Sequence, residues 1–246
     1  MTGIRLYRDG ERVQALETES TGSCGIFTPE IVDMDFDGWP DIAIAQFLPA
    51  GPNIPMDAWL YDPATGRFAR APASLLQVTT PNFDAARRLV WHTWRDGCCR
   101  HGVDIFRWRD GELEHVDGDE SYMMPVRVDG ELRGCYVAPD YADGRIVWQG
   151  ALRDVAGRPT LDPDVAAHCT PTTPEGMLDP SRIRIDVWQE AAPGSAPIRI
   201  RSETARTVQG VVGDTTRTCT ELPVFDEGTI GWLPLAGDGC ASHDDP

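Results

Sequence analysis

The dipeptide Asp-Gly recurs between strand-like runs, and no other feature of the sequence constrains the fold as much. Ile4-Arg5-Leu6-Tyr7 leads to Asp9-Gly10 and then to Arg12-Val13-Gln14. Ile105-Phe106-Arg107-Trp108 leads to Asp110-Gly111-Glu112-Leu113, and Val126-Arg127-Val128 to Asp129-Gly130-Glu131-Leu132. Tyr141 leads to Asp143-Gly144 and then to Ile146-Val147-Trp148. A two-residue hairpin turn needs positive φ at both central residues, which is why Asp-Gly between alternating runs signals a hairpin. A longer loop, Asp62-Pro63-Ala64-Thr65-Gly66, joins Trp59-Leu60-Tyr61 to Arg67-Phe68. The turns are unevenly spaced, so they establish no repeat. Gly and Pro interrupt every candidate helical period, and only 85–90 and 165–168 read as short helical turns. The pattern predicts an all-β fold of antiparallel hairpins, in a sandwich, barrel or propeller-like array of sheets.

The C-terminal part reads more quietly. Arg182-Ile183-Arg184-Ile185-Asp186-Val187-Trp188 alternates polar and apolar residues, as a half-buried strand does, and Ile198-Arg199-Ile200-Arg201 repeats the alternation. Residues 170–180 form a proline-rich loop. The organisation expected is a first β region over 1–125 and a second, cysteine-containing β region over 126–246, the two packed as one unit. Residues 237–246 read as a tail held only through Cys240.

Charge removes several functions. The net charge is −17, and all 22 cationic side chains are Arg, with no Lys in the chain. Phosphate-loop lysines, Schiff-base lysines and polybasic nucleic-acid or membrane patches are thereby excluded. So acidic a chain repels phosphate backbones and favours basic partners or cations. No apolar run is long enough to span a membrane as a helix.

Seven cysteines (Cys24, Cys98, Cys99, Cys135, Cys169, Cys219 and Cys240) lack metal-ligand spacing. They read as disulfides formed in an oxidising compartment, with the connectivity open. Cys98 and Cys99 are adjacent and are expected to reach separate partners. Met1-Thr2-Gly3-Ile4 opens directly on a strand-like run. The cysteine count therefore favours a mature chain whose signal peptide has been removed.

One motif carries specific chemistry. Asp33-Met34-Asp35-Phe36-Asp37-Gly38-Trp39-Pro40-Asp41 reads D-x-D-x-D-G-x-x-D. Alternate carboxylates converge if the backbone curls, and Gly38 permits the curl. Ca²⁺ is a hard cation that takes six to eight oxygen ligands. Asp33, Asp35, Asp37 and Asp41 would supply carboxylates, the Trp39 carbonyl another oxygen, and water the rest. The motif matches the first half of an EF-hand loop, but Ile44 stands where the bidentate Glu is needed, and a strand-like run follows. The reading is a calcium loop that feeds a β-strand.

Residues 33–45 resemble the calcium loop of FG-GAP and VCBS-type β-propeller repeats. Asp37 to Asp41, Ala50 to Pro55, Trp59 to Phe68, Trp94 to Cys99 and Arg107 to Leu113 together resemble a narrower bacterial group. That group comprises periplasmic proteins with a vestigial β-propeller and one calcium loop, some of them immunity proteins against lysozyme-like peptidoglycan hydrolases delivered by secretion systems. The resemblance covers roughly residues 4–116. It implies a vestigial β-propeller-like fold, bound Ca²⁺, a periplasmic or extracellular location, and a hydrolase as protein partner. It assigns no inhibitory residue. The function expected is steric blockade of a peptidoglycan hydrolase, without enzymatic activity. The rival reading is a calcium-dependent extracytoplasmic adhesion or carbohydrate-binding module.

Other constellations are weaker. The five histidines form no H-E-x-x-H, and no G-x-S-x-G, G-x-G-x-x-G or Walker sequence occurs. A hydrolytic carboxylate pair is not singled out. The eight tryptophans read mainly as core and cross-strand packing. Tyr141, in Pro139-Asp140-Tyr141-Ala142-Asp143-Gly144, reads as a turn residue available as a binding anchor.

Overall fold

A computed structural model describes residues 3–21, 27–97, 100–173, 176, 179–192, 195–212 and 214–235. Cys24, Cys98, Cys99 and Cys240 lie outside the described residues, as does the tail. The chain divides into two compact units, residues 1–120 with 139–147, and residues 121–138 with 148–246.

The first unit contains three antiparallel sheets. Strands β1 (Ile4–Arg8) and β2 (Glu11–Leu16) pair as a hairpin. Strands β3 (Glu30–Val32), β4 (Asp41–Ala45), β5 (Met56–Asp62) and β6 (Arg67–Arg70) form a meander in sequence order. After the short helix α1 (Ala73–Leu76), a second meander follows. Its strands are β7 (Asn82–Asp84), β8 (Leu89–Asp96), β9 (Arg100–Arg109) and β10 (Glu112–Glu120). Met34, Phe36, Ala58, Leu75, Val78, Val90 and Leu113 form the main core of this unit. Leu16, Ile42, Ile44 and Trp59 form a smaller core where β1 and β2 meet the first meander.

The second unit is also mostly β. Strands β11 (Tyr122–Val128), β12 (Glu131–Ala142) and β13 (Arg145–Gln149) lie in sequence order in one sheet. The end of the β12–β13 hairpin, residues 139–147, belongs to the first unit. Next come β14 (Leu152–Val155), β15 (Arg158–Thr160), helix α2 (Pro163–His168) and the two-residue β16 (Thr170–Pro171), which pairs with β12. Strands β17 (Arg184–Glu190), β18 (Pro197–Thr204), β19 (Arg206–Val212), β20 (Thr215–Asp226) and β21 (Thr229–Pro234) complete it. Helix α2 has Pro at its first turn and is capped by Asp162, whose side chain accepts from the Asp164 N–H.

The all-β expectation holds, and the predicted turns form as expected. Asp9-Gly10, Asp110-Gly111, Asp129-Gly130 and Asp143-Gly144 all have positive φ at both residues. Ala156-Gly157 and Glu227-Gly228 adopt the same geometry without the Asp-Gly signal. Among the described residues, three ladders depart from a pure hairpin chain: β11 pairs with β20 and β14 with β17 in parallel, and β16 with β12. Turn chemistry fixes only strands adjacent in sequence, so these pairings carry no local signal.

Strand β17 also differs from the half-buried strand expected. Ile185, Asp186 and Val187 are all buried, so both faces are covered. A carboxylate is tolerated there because Asp186 Oδ2 meets Arg184 Nε at 2.9 Å and Arg199 Nη1 at 3.4 Å. The Arg184 guanidinium lies 4.2 Å from the Tyr122 ring and 5.1 Å from the Trp148 ring, a cation–π bracket. Ile198 and Ile200, on the edge strand β18, are exposed and not half buried as expected. Cys135 and Cys169 form a disulfide inside the main core of this unit, and Cys219 is disulfide-bonded as well. Among the described residues, no helix is long and apolar enough to cross a membrane.

Candidate metal centre

The acidic loop connects β3 to β4, and its alternation explains how it stays in place. Met34 and Phe36 point into the main core of the first unit and are almost fully buried. The intervening Asp33, Asp35 and Asp37 are thereby turned outward together. Phe36 and Gly38 have φ of 62° and 94°, which gives the curl the motif requires. Trp108 Nε1, on β9, donates to the Met34 carbonyl at 2.8 Å, so the second meander also fastens the loop.

Asp33, Asp35 and Asp37 each present a carboxylate oxygen within 4.8 Å of the others. The Asp37 N–H donates to Asp33 Oδ1 and Asp35 Oδ1 at 3.1 Å each, and the Gly38 N–H to Asp33 Oδ2 at 3.0 Å. The Trp39 N–H donates to Asp37 Oδ1 at 2.8 Å. These backbone donors aim the carboxylates but leave lone pairs on every one of them. Asp41 is placed differently. It is fully buried, with Oδ2 accepting from the Met34 N–H and Oδ1 from the Tyr61 N–H, both at 2.8 Å. Asp41 therefore ties the loop to β5 and lies outside the converging trio. The half-exposed Trp39 ring packs on Tyr61, with ring centroids 5.5 Å apart.

The electrostatics fit a cation. Burial raises the Asp35 carboxyl above its ordinary range, and the neighbouring Asp37 and Asp33 charges raise it further, against the Asp37 N–H. Burial pushes Asp41 up to about 6, with added repulsion from Asp35 and Asp37, against the N–H groups of Tyr61 and Met34. Converging carboxylates with this mutual repulsion are a hard-oxygen donor set, which suits Ca²⁺. Bound there, the ion would be held by Asp33, Asp35 and Asp37 and would neutralise them.

Calcium is accordingly expected to raise the melting temperature, and chelator to lower it. At about 100 times the dissociation constant the gain is about 2.7 kcal/mol. An Asp33→Asn/Asp37→Asn variant is expected to melt at one temperature with and without calcium. A melting temperature of the parent protein that ignores calcium would exclude the site. The pH sign follows from the raised carboxyls. Without metal, stability falls as pH rises from 3.8 towards about 6, because the folded state gives up the protons on Asp35 and Asp41 less readily than the unfolded chain does. Calcium is expected to flatten that fall.

Tyr141, read from the sequence as a binding anchor, has its ring occupied within the first unit. It stacks on Trp91 with centroids 4.5 Å apart and an interplanar angle of 10°, and its hydroxyl donates to Asp84 Oδ2 at 2.7 Å. A second polar group, His92, Asp104 and His115, gathers on the second meander with no motif to mark it. Its residues are 12 and 11 apart in sequence, and only strand register brings them together.

Comparison with known families bears on the second half of the chain. A family model described as "Domain of unknown function (DUF8339)" matches residues 123–246, just over half of the chain. The chain belongs to the DUF8339 family. The DUF8339 match holds the Cys135–Cys169 bridge, and the acidic loop precedes it. Among curated proteins, none matches. One solved structure, described as "Structure of a Xanthomonas Type IV Secretion System related protein", is similar at 18% identity and a TM-score of 0.36. The similarity covers 54% of this chain and 77% of that one. At that score the likeness carries no argument about fold or function.

Proposed function

We propose that this DUF8339 protein is a calcium-loaded extracytoplasmic binding protein without enzymatic activity, and that it blocks a lysozyme-like peptidoglycan hydrolase by covering its substrate cleft. The observation that carries the reading is the convergence of Asp33, Asp35 and Asp37 at the entry to β4. The residue pattern there is the one that resembles periplasmic calcium-loop proteins. Two four-stranded antiparallel meanders, the kind of sheet from which propeller blades are built, support it. The Cys135–Cys169 bridge supports an oxidising compartment, here the periplasm.

Calcium acts structurally in this reading. It holds the β3–β4 connection rigid, so that the surrounding loops are presented in one conformation. Phe47 and Leu48, exposed in the loop after β4, are apolar side chains that a partner could cover. Hydrolases that work on an anionic polymer are commonly basic, and a net charge of −17 would steer such a partner in.

The test is turbidity loss of a peptidoglycan suspension by candidate effectors, with and without equimolar protein. Inhibition is expected, with an association rate that falls steeply as salt rises while dissociation changes little. Phe47→Ser/Leu48→Ser is expected to weaken inhibition at least tenfold at an unchanged melting temperature. If no lysozyme-like effector is slowed and glycans bind in a calcium-dependent way, the adhesion-module reading replaces this one.

A further inference from the structure

The second meander builds a polar site that neither the acidic loop nor hydrolase binding uses. His92 on β8 and Asp104 on β9 are cross-strand partners. The partner of Asp104 on β10 is Gly118, and a bulge between His115 and Asp117 shifts the register there. The bulge places Gly118 rather than Asp117 opposite Asp104, and His115, opposite Phe106 on the same face, reaches Asp104 diagonally. Glycine at 118 is needed for this approach. A Cβ there would overlap Asp104 Oδ1 and lie 2.7 Å from His115 Nε2.

As a result, Asp104 Oδ2 lies 3.3 Å from His92 Nε2, and Asp104 Oδ1 lies 3.1 Å from His115 Nε2. The Phe106 ring flanks both imidazoles, at 5.8 and 5.4 Å. The group lines a cavity of about 400 Å³ beside Trp94. Exposure is graded across it, with the side chains of His92, Asp104 and His115 at 9%, 28% and 54%.

The hydrogen-bond partners fix the chemistry. His92 Nδ1 lies 2.9 Å from the Thr79 carbonyl, which only accepts, so Nδ1 carries the hydrogen. Nε2 then faces the Asp104 carboxylate, and in a neutral ring the two would meet lone pair to lone pair. A cation between them removes the conflict. A tetrahedral ion, with His nitrogen at about 2.0–2.1 Å and carboxylate oxygen at about 2.0–2.2 Å, sets its donors about 3.3 Å apart.

We propose that His92, Asp104 and His115 form a binding site for a divalent ion of the zinc class, separate from the acidic loop. The His92 Nδ1–H to carbonyl contact is the outer-shell bond that orients ligating imidazoles. The two imidazoles meet different oxygens of Asp104, so a single ion requires the exposed His115 to leave its 3.1 Å contact with Asp104 Oδ1. The fourth coordination position faces the cavity and takes water or a donor from a partner. Imidazole donors select zinc-class ions, whereas the all-oxygen loop selects Ca²⁺.

The test titrates Zn²⁺, and Co²⁺ as a spectroscopic probe, into chelator-treated full-length protein under saturating Ca²⁺. One equivalent of Zn²⁺ is expected to bind, and Co²⁺ to give the visible absorption of a four-coordinate site. His115→Gln, at an exposed position, is expected to keep the melting temperature and lower Zn²⁺ affinity at least tenfold, as is His92→Gln. Asp33→Asn/Asp37→Asn is expected to leave it unchanged, which separates this site from the calcium loop. Zn²⁺ affinity that is unchanged in either histidine variant would overturn the proposal. So would absence of Zn²⁺ binding by the parent protein.

Discussion

Asp57→Ala is expected to destabilise the first unit by about 2–3 kcal/mol, the cost of leaving buried donors without their charged acceptor. Asp57 sits on β5 and is fully buried. Its Oδ2 accepts from Thr18 Oγ1 at 2.7 Å and from the Glu19 N–H at 2.8 Å. Its Oδ1 accepts from Gln46 Nε2 at 3.0 Å and Arg70 Nη2 at 2.6 Å. One carboxylate thus joins the segment after β2, the end of β4 and β6. Alanine would leave the Thr18, Glu19 and Gln46 donors without their acceptor, while the half-exposed Arg70 turns to water. Asn is no remedy, because its NH₂ would face donors on one side. Urea denaturation at neutral pH measures the loss, and a cost below about 1 kcal/mol would show that the network is dispensable.

The same residue sets an acid limit. Burial alone would raise the Asp57 carboxyl, but the bonds from Thr18, Gln46, Glu19 and Arg70 outweigh it and hold the carboxyl below its ordinary value. A depressed carboxyl stabilises the fold above the unfolded-state value of 3.8 and loses that contribution as pH falls through its own lower value. The gap between wild type and Asp57→Ala is therefore expected to narrow below about pH 4.

Removing the Cys135–Cys169 bridge is expected to destabilise the second unit by roughly 4 kcal/mol, from the chain entropy of a closed loop of about 34 residues. Both cysteines are buried, Cys135 on β12 and Cys169 just after α2. The bridge adds to the packing of Leu161 and Val165 on the core. Helix α2 has six residues, too few to persist alone, and β16 contributes two residues to the sheet. Urea midpoints of Cys135→Ala/Cys169→Ala against wild type give the value. Hydrogen exchange is expected to rise first over 163–171. Periplasmically produced protein that carries seven free thiols under denaturing conditions would refute the bridge altogether.

The acidic loop was legible because its information is local. Alternation alone sends Met34 and Phe36 inward and Asp33, Asp35 and Asp37 outward. Asp41 lies in the same motif, yet its partners include the Tyr61 N–H, 20 residues away, which no local pattern specifies. The His92–Asp104–His115 group was half legible. Counting back from the Asp110-Gly111 turn puts His115 opposite Phe106, and Asp104, two residues along β9, shares that face. The count misses the bulge that places Gly118 opposite Asp104 and leaves room for both side chains.

By itself, the sequence determined what short-range sterics and alternation determine. The Asp-Gly turns set the first hairpins and the all-β class, because positive φ at two successive residues leaves the chain few alternatives. Tertiary structure decided everything that depends on which distant strands meet. It made β11 pair with β20 and β14 with β17, put Asp57 and Asp186 inside with their arginines, and turned the Tyr141 ring onto Trp91. A polar side chain can be buried only where distant donors converge on it, and that convergence is a property of the packed sheets.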